Sequence, residues 1–123
     1  MNLNRKNSLI AVLIFSGFFL VFMNIKPEKQ IDFSSDIKPI LNNKCISCHG
    51  GVKKTAGFSL LFREEALANT DEGSPAIVPG KSKLSRLIQR LHESDPQLRM
   101  PFEKPALSKE EIKLLTKWID QGA

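Results

Sequence analysis

Thiols and imidazoles are scarce in this chain: its 123 residues hold two cysteines and two histidines. A closed structural zinc site takes four such ligands. Here it would need all of them, with His49 directly after Cys48, and neighbours in sequence rarely both reach one ion. Charge of one sign is not concentrated either. There are 18 Lys and Arg against 13 Asp and Glu, +5 overall, with no dense basic stripe interleaved with aromatics. Lys53-Lys54 and the Arg86/Arg90 pair read as solvated loop and helix charges, so a nucleic-acid partner is not expected. No alternating strand pattern competes with the helical spacings, and the chain is too short for two ordinary domains. What is left is one small all-α domain around one core.

The longest apolar run is Leu9 to Met23, "LIAVLIFSGFFLVFM", preceded by Arg5 and Lys6. It suits an export signal and falls short of the roughly 20 residues of a comfortable membrane span. No small-x-small cleavage site follows, because the flank is Asn24-Ile25-Lys26-Pro27. We therefore expect residues 1–25 to form an N-terminal hydrophobic helix. It serves as a signal peptide or as a retained anchor in the membrane, with positive residues on the cytoplasmic side. Residues 26–32 form a polar linker, and the domain at 33–123 lies on the periplasmic side of a bacterial inner membrane, anchored or released.

Within the domain, Ser35 or Asp36 is placed to cap a first helix, with Pro39 in its first turn and Ile37, Ile40 and Leu41 on one face. That spacing carries Cys45 to the helix end, and Gly50-Gly51 terminates the element. "GFSLLF" reads as a short irregular apolar run, followed by helical turns from Arg63 to Ala68. Breakers from Gly73 to Gly80 preclude regular structure, but Ala76-Ile77-Val78 should lie against something apolar. Ser82 is expected to cap a helix from Lys83 to about His92, with a stripe of Leu84, Leu87, Ile88 and Leu91. Pro96, Pro101 and Pro105 stiffen a long loop around Met100. Ser108 and Glu111 form a capping box that opens a last helix through Ile112, Leu115, Trp118 and Ile119, ended by Gly122.

Both cysteines lie in "NNKCISCHGG", Asn42 to Gly51. A thioredoxin-like C-x-x-C belongs in a βαβ setting that is missing around Cys45. A plain disulfide would close a small strained ring and leave His49 a coincidence. Cys-x-x-Cys-His is instead the signature of covalent haem attachment. Each thiol adds to a vinyl group on one of two neighbouring pyrroles, and the short loop spanning them sets the next side chain beneath the iron. His49 is then the proximal ligand, and one haem c is bonded through Cys45 and Cys48. For the second axial position the candidates are few. Met100 is the only methionine of the domain and sits in a breaker-rich loop rather than on an apolar helical face. His92, beside Glu93 and Asp95, is its rival, and an open sixth position is the third possibility.

Several motifs in order give a more specific signal. "IKPILNNKCISCHG" (Ile37 to Gly50), "GFSL" (Gly57 to Leu60), "SPAIVPG" (Ser74 to Gly80), "RMP" (Arg99 to Pro101) and "WIDQGA" (Trp118 to Ala123) together resemble the planctomycete-type cytochrome c domain, a class I-like module, over about residues 33–123. The resemblance implies a small cytochrome c-like fold of three to five helices around covalent haem. It also implies ligation by His49 and by the methionine of the "RMP" motif, Met100, and an N-terminal helix crossing a C-terminal one. Phe33 and Trp118 could serve that crossing. The chain departs from the family's pattern at Phe102, where a second proline is usual, and at Ser74, where a glycine is common.

The function expected is an exported electron-transfer haem protein rather than an enzyme, though the haem domain of a redox enzyme is a minor alternative. Redox proteins are its expected partners, with a larger oxidoreductase encoded separately as one candidate. Lys44, Lys53 and Lys54 flank the attachment motif and could steer an acidic partner. Arg99 could pair with a haem propionate, and a carbonyl of the Ala76 to Pro79 loop could accept the proximal imidazole N–H. The alternative is an open-site haem protein working as a peroxidase-like enzyme or a gas or redox sensor, although no distal His/Arg pair is evident. A third is a tethering module whose haem is structural.

Overall fold

The structure, a computed structural model, describes residues 28–123. The apolar run and the first two residues of the linker expected before the domain, Lys26 and Pro27, lie outside these residues. Among the described residues no helix is long and apolar enough to cross a membrane.

The first helical segment starts one turn earlier than the spacing suggests. Asp32, not Ser35 or Asp36, is the cap: its carboxylate accepts from the Ser35 backbone N–H at 2.8 Å, while Asp36 accepts from the Asp32 N–H at 3.0 Å. A π-helical turn, Phe33–Ile37, then runs into α1, Lys38–Lys44, with Pro39 in its first turn. Ile37, Ile40 and Leu41 are buried as the spacing requires. After Cys45 the short helix α2, Ile46–His49, completes the Cys-x-x-Cys-His segment.

The chain reverses at Gly50-Gly51 into a two-residue strand β1, Lys53–Lys54, with antiparallel bridges His49 to Lys54 and Gly50 to Lys53. This small hairpin is the one element an all-α reading does not anticipate. Gly50 is required by proximity: a Cβ there would stand 2.6 Å from both the Ile46 carbonyl oxygen and Ile46 Cγ1. The irregular run that follows buries Phe58 and Ser59 and leads to α3, Arg63–Leu67, as expected. Ser59 and Lys54 both bond Glu65, at 2.5 and 2.6 Å, fastening α3 to the hairpin.

The stretch around Ser82 departs from its pattern. Ser82–Leu84 is a 3-10 turn, and α4 begins only at Arg86, running Arg86–His92. The buried Ser85 hydroxyl accepts from Val78 N–H at 2.9 Å and donates to the Lys81 carbonyl at 3.1 Å. Serving the loop in this way interrupts the helix, and Leu84 consequently falls off the apolar stripe and is exposed. Ile88 and Leu91 remain in the core, and Ala76 and Ile77 are buried beside them.

The last helix α5, Lys109–Asp120, has the full capping box: Ser108 accepts from Glu111 N–H at 3.1 Å, and Glu111 accepts from Ser108 N–H at 2.7 Å. Leu115 and Ile119 are fully buried, and Phe33 meets Trp118 with ring centroids 5.7 Å apart, so the first helical turn packs on the last helix through this pair. The end of the chain closes the fold through polar bonds. Asp120 accepts from Ser82 N–H at 2.9 Å, the Ile119 carbonyl from Gly80 N–H at 2.7 Å, and the Gln121 amide oxygen from Ile31 N–H at 2.8 Å.

Candidate functional site

The helical elements and the long loop line a partly open cavity of about 420 Å³. Cys45, Cys48, His49 and Met100 all line it, together with Phe58, Ala76, Leu87, Leu91 and Leu115. Each arrives there for a local reason. Cys45 ends the apolar face of α1, Cys48 and His49 follow on the one turn of α2, and Met100 projects from the proline-stiffened loop. Pro101 next to it is buried, and the Met100–Pro101 peptide is cis. His92 is exposed at the end of α4 and does not reach the cavity.

His49 is held in one orientation. Its ring Nδ1 lies 3.2 Å from the Phe58 carbonyl oxygen, and a carbonyl only accepts, so Nδ1 carries the proton and Nε2 keeps a free lone pair. The His49 carbonyl in turn accepts from Leu60 N–H at 2.7 Å, and the Phe58 ring stands 5.1 Å from the imidazole, tilted against it. The imidazole's partner is therefore the "GFSL" segment and not the Ala76 to Pro79 loop. The carbonyls of Ala76 and Val78 are already taken by Leu87 and Lys81 N–H at 3.0 Å each.

Both cysteine thiols are free. Burial pushes the Cys45 thiol up to about 11, with the Glu111 carboxylate adding to the shift and Lys104 opposing it. A dithiol redox site needs the reverse, a depressed thiol in an electropositive setting. Among the described residues no three His, Cys, Asp or Glu converge as metal ligands.

The cavity also has a cationic side. Arg86 and Arg90, four residues apart on α4, line it with Glu72, and Lys53, Lys44 and Lys104 complete its rim. Glu72 bridges the two arginines, pairing with Arg86 and, at 3.3 Å, with Arg90. Read as solvated helix charges from sequence, these arginines are part of the site's wall. Arg99 does not line the cavity, and its Nε is buried without a partner. Lys54 does not line it either; it is spent on Glu65.

A haem fits what these residues offer. Apolar walls suit the macrocycle, two thiols line the cavity, a free imidazole nitrogen and a thioether sulfur are available for the iron, and guanidinium groups suit the propionates.

Fold and site together are those of a small, mainly helical domain with a cavity suited to a haem. The comparisons specify it further: residues 45–103 match the family model described as Planctomycete cytochrome C, which bears out over that span the resemblance seen in the motifs. The match implies covalent haem c, consistent with Cys45 and Cys48. The chain is also similar to the hydrazine synthase subunit alpha of Kuenenia stuttgartiensis, with 24% identity over 130 residues, covering 82% of this chain and 16% of that subunit. No solved structure matches.

Proposed function

We propose that this protein is a c-type cytochrome that carries single electrons. The observation that carries the reading is the convergence of Cys45, Cys48, His49 and Met100 on one apolar cavity. Cys45 and Cys48 would hold the haem covalently, each thiol S–H adding across one vinyl double bond with nothing leaving, and His49 Nε2 and Met100 Sδ would be its ligands to the iron. The bound haem supplies a metal centre that gains one electron from a reduced donor protein and passes it to an oxidised acceptor protein.

The chain's own residues tune that exchange. The Phe58 carbonyl fixes the imidazole tautomer and makes it a stronger donor. Leu87, Leu91, Leu115 and Phe58 keep water from the centre. With His49 and Met100 both supplying ligands, neither residue would have to move away or be replaced during the exchange, which would keep the reorganisation small. Lys44, Lys53 and Lys104 at the rim favour an acidic docking face. We place the domain on the periplasmic side of a bacterial inner membrane, reached by export and held or released through residues 1–25, with residues 33–123 as the haem domain.

The likeness to a hydrazine synthase subunit favours a second reading, in which the domain is the haem module of a redox enzyme whose catalytic part lies elsewhere. One experiment tests the closed site that the electron-carrier reading requires: reductive titration of the haem-loaded protein, followed by carbon monoxide. An electron carrier shows reversible one-electron cycling, a methionine-to-iron charge-transfer band when oxidised, and no rapid change with CO when reduced. Rapid CO binding would indicate an open iron and return the peroxidase-like or sensor alternative.

A further inference from the structure

The long loop that carries Met100 is held at one point above all. Within residues 98 to 100, the hydrogen bonds that leave the loop both go to Arg90. The Met100 backbone N–H donates to the Arg90 carbonyl at 2.9 Å, and the Arg90 guanidinium Nη1 donates to the Leu98 carbonyl at 3.3 Å. The other bonds of this stretch, Leu98 and Arg99 N–H to the Asp95 carbonyl, stay inside the loop. Arg90 is itself fixed from the far side, because its Nη2 reaches Glu72 at 3.3 Å and Glu72 also pairs with Arg86.

We propose that Arg90 positions the distal ligand: one guanidinium ties the carbonyl two residues before Met100 to the Glu72 carboxylate in the cavity wall, holding the sulfur over the haem. The inference rests on Met100 as the sixth ligand. A planar fork with fixed donors can serve two acceptors at a set angle, whereas an ammonium serves them poorly. The side chain of Arg90 is only 27% exposed, so water competes less for its donors than at an open surface. Without the guanidinium the Leu98 carbonyl loses its tie, and residues 98 to 100 keep only the backbone bond of Met100 to the rest of the fold. The sulfur then leaves the iron more often. Glu72 acts at one remove by orienting Arg90, and Arg86 acts through Glu72.

The test uses haem-loaded protein and three variants, Arg90→Met, Arg90→Lys and Glu72→Gln. Two signals are read: the methionine-to-iron charge-transfer band of the oxidised protein, and the rate at which the reduced protein binds CO, which reports how often the methionine is off. A hydrogen bond to a charged group accounts for roughly tenfold in such an equilibrium. Arg90→Met therefore weakens the band and speeds CO binding by about tenfold. Arg90→Lys falls between it and the parent, and Glu72→Gln, which keeps the Leu98 contact, changes the signals less than Arg90→Met. A parent with a normal band and an Arg90→Met variant with unchanged band and CO rate would overturn the role of Arg90 while leaving Met100 ligation intact. An effect of Glu72→Gln as large as that of Arg90→Met would also overturn it, since the Leu98 contact would then contribute nothing. A parent lacking the band removes the Met100 reading, and this inference with it.

Discussion

His49 is fixed at three points: ring Nδ1 on the Phe58 carbonyl, backbone carbonyl on Leu60 N–H, and the bridge to Lys54 that begins the hairpin. Its Nε2 is therefore committed to the cavity before any ligand arrives, which lowers the ordering cost of ligation. Met100 answers it from a loop and has no such redundancy, so it is the position where a single change opens the site. Met100→Ala should abolish the methionine-to-iron band and convert a CO-inert reduced protein into one that binds CO rapidly; an unchanged spectrum would show that another group holds the iron. The four residues that meet at the cavity were legible in the sequence as candidates, Cys45, Cys48 and His49 by their spacing and Met100 by its setting among prolines. The Phe58 carbonyl was not legible, since a backbone acceptor has no residue signature. Arg86 and Arg90 were misread because i, i+4 charges on a helix look alike whether they face water or a cavity.

The elements were legible wherever the signal was local. The Ser108/Glu111 capping box was readable from four letters, and Ser108→Ala should cost about 1 kcal/mol of stability, measured by denaturant unfolding of the haem-loaded protein. The break at Ser85 was hidden because its cause is tertiary: the hydroxyl is recruited by Val78 and Lys81, which no helical periodicity encodes. Two carboxylates hold element junctions, Asp32 at the first turn and Asp120 at the 3-10 turn. Both have their pKa lowered below the usual carboxylate value, chiefly by the backbone N–H of Ser35 and of Ser82 respectively. Because the folded value lies below the unfolded one, their contribution is complete above the unfolded pKa and is lost as pH falls through the folded one. Stability should thus decline below about pH 4. Asp120→Asn should flatten part of that decline, read from thermal unfolding midpoints across the acid range; an identical pH profile would contradict the role given to Asp120.

At the scale of the molecule, the core is built around space. Leu115 is fully buried yet lines the cavity, so the same helix α5 serves the aliphatic core and the ligand wall. The rim of that wall carries Lys44, Lys53 and Lys104, with Lys104 Nζ donating to Ser47 at 3.2 Å across the mouth. Electron transfer to an acidic partner should slow as salt rises from about 10 to about 150 mM, because the Debye length shrinks from roughly 30 to roughly 8 Å; stopped-flow rates over that range check it, and rates indifferent to salt would contradict steering by the rim. That the described residues are mainly helical followed from periodicity, whereas the cavity could be foreseen only through the chemistry of the motif, since voids leave no pattern in sequence. The central claim is that Cys45 and Cys48 bind haem covalently, and the intact mass of protein made alongside the haem c maturation machinery tests it most directly. Because addition across the two vinyls loses no atoms, the account predicts a gain equal to one whole haem that survives denaturation, together with a thioether-type pyridine haemochrome spectrum. A protein whose mass is that of the bare polypeptide, with haem absent or extractable, would contradict it.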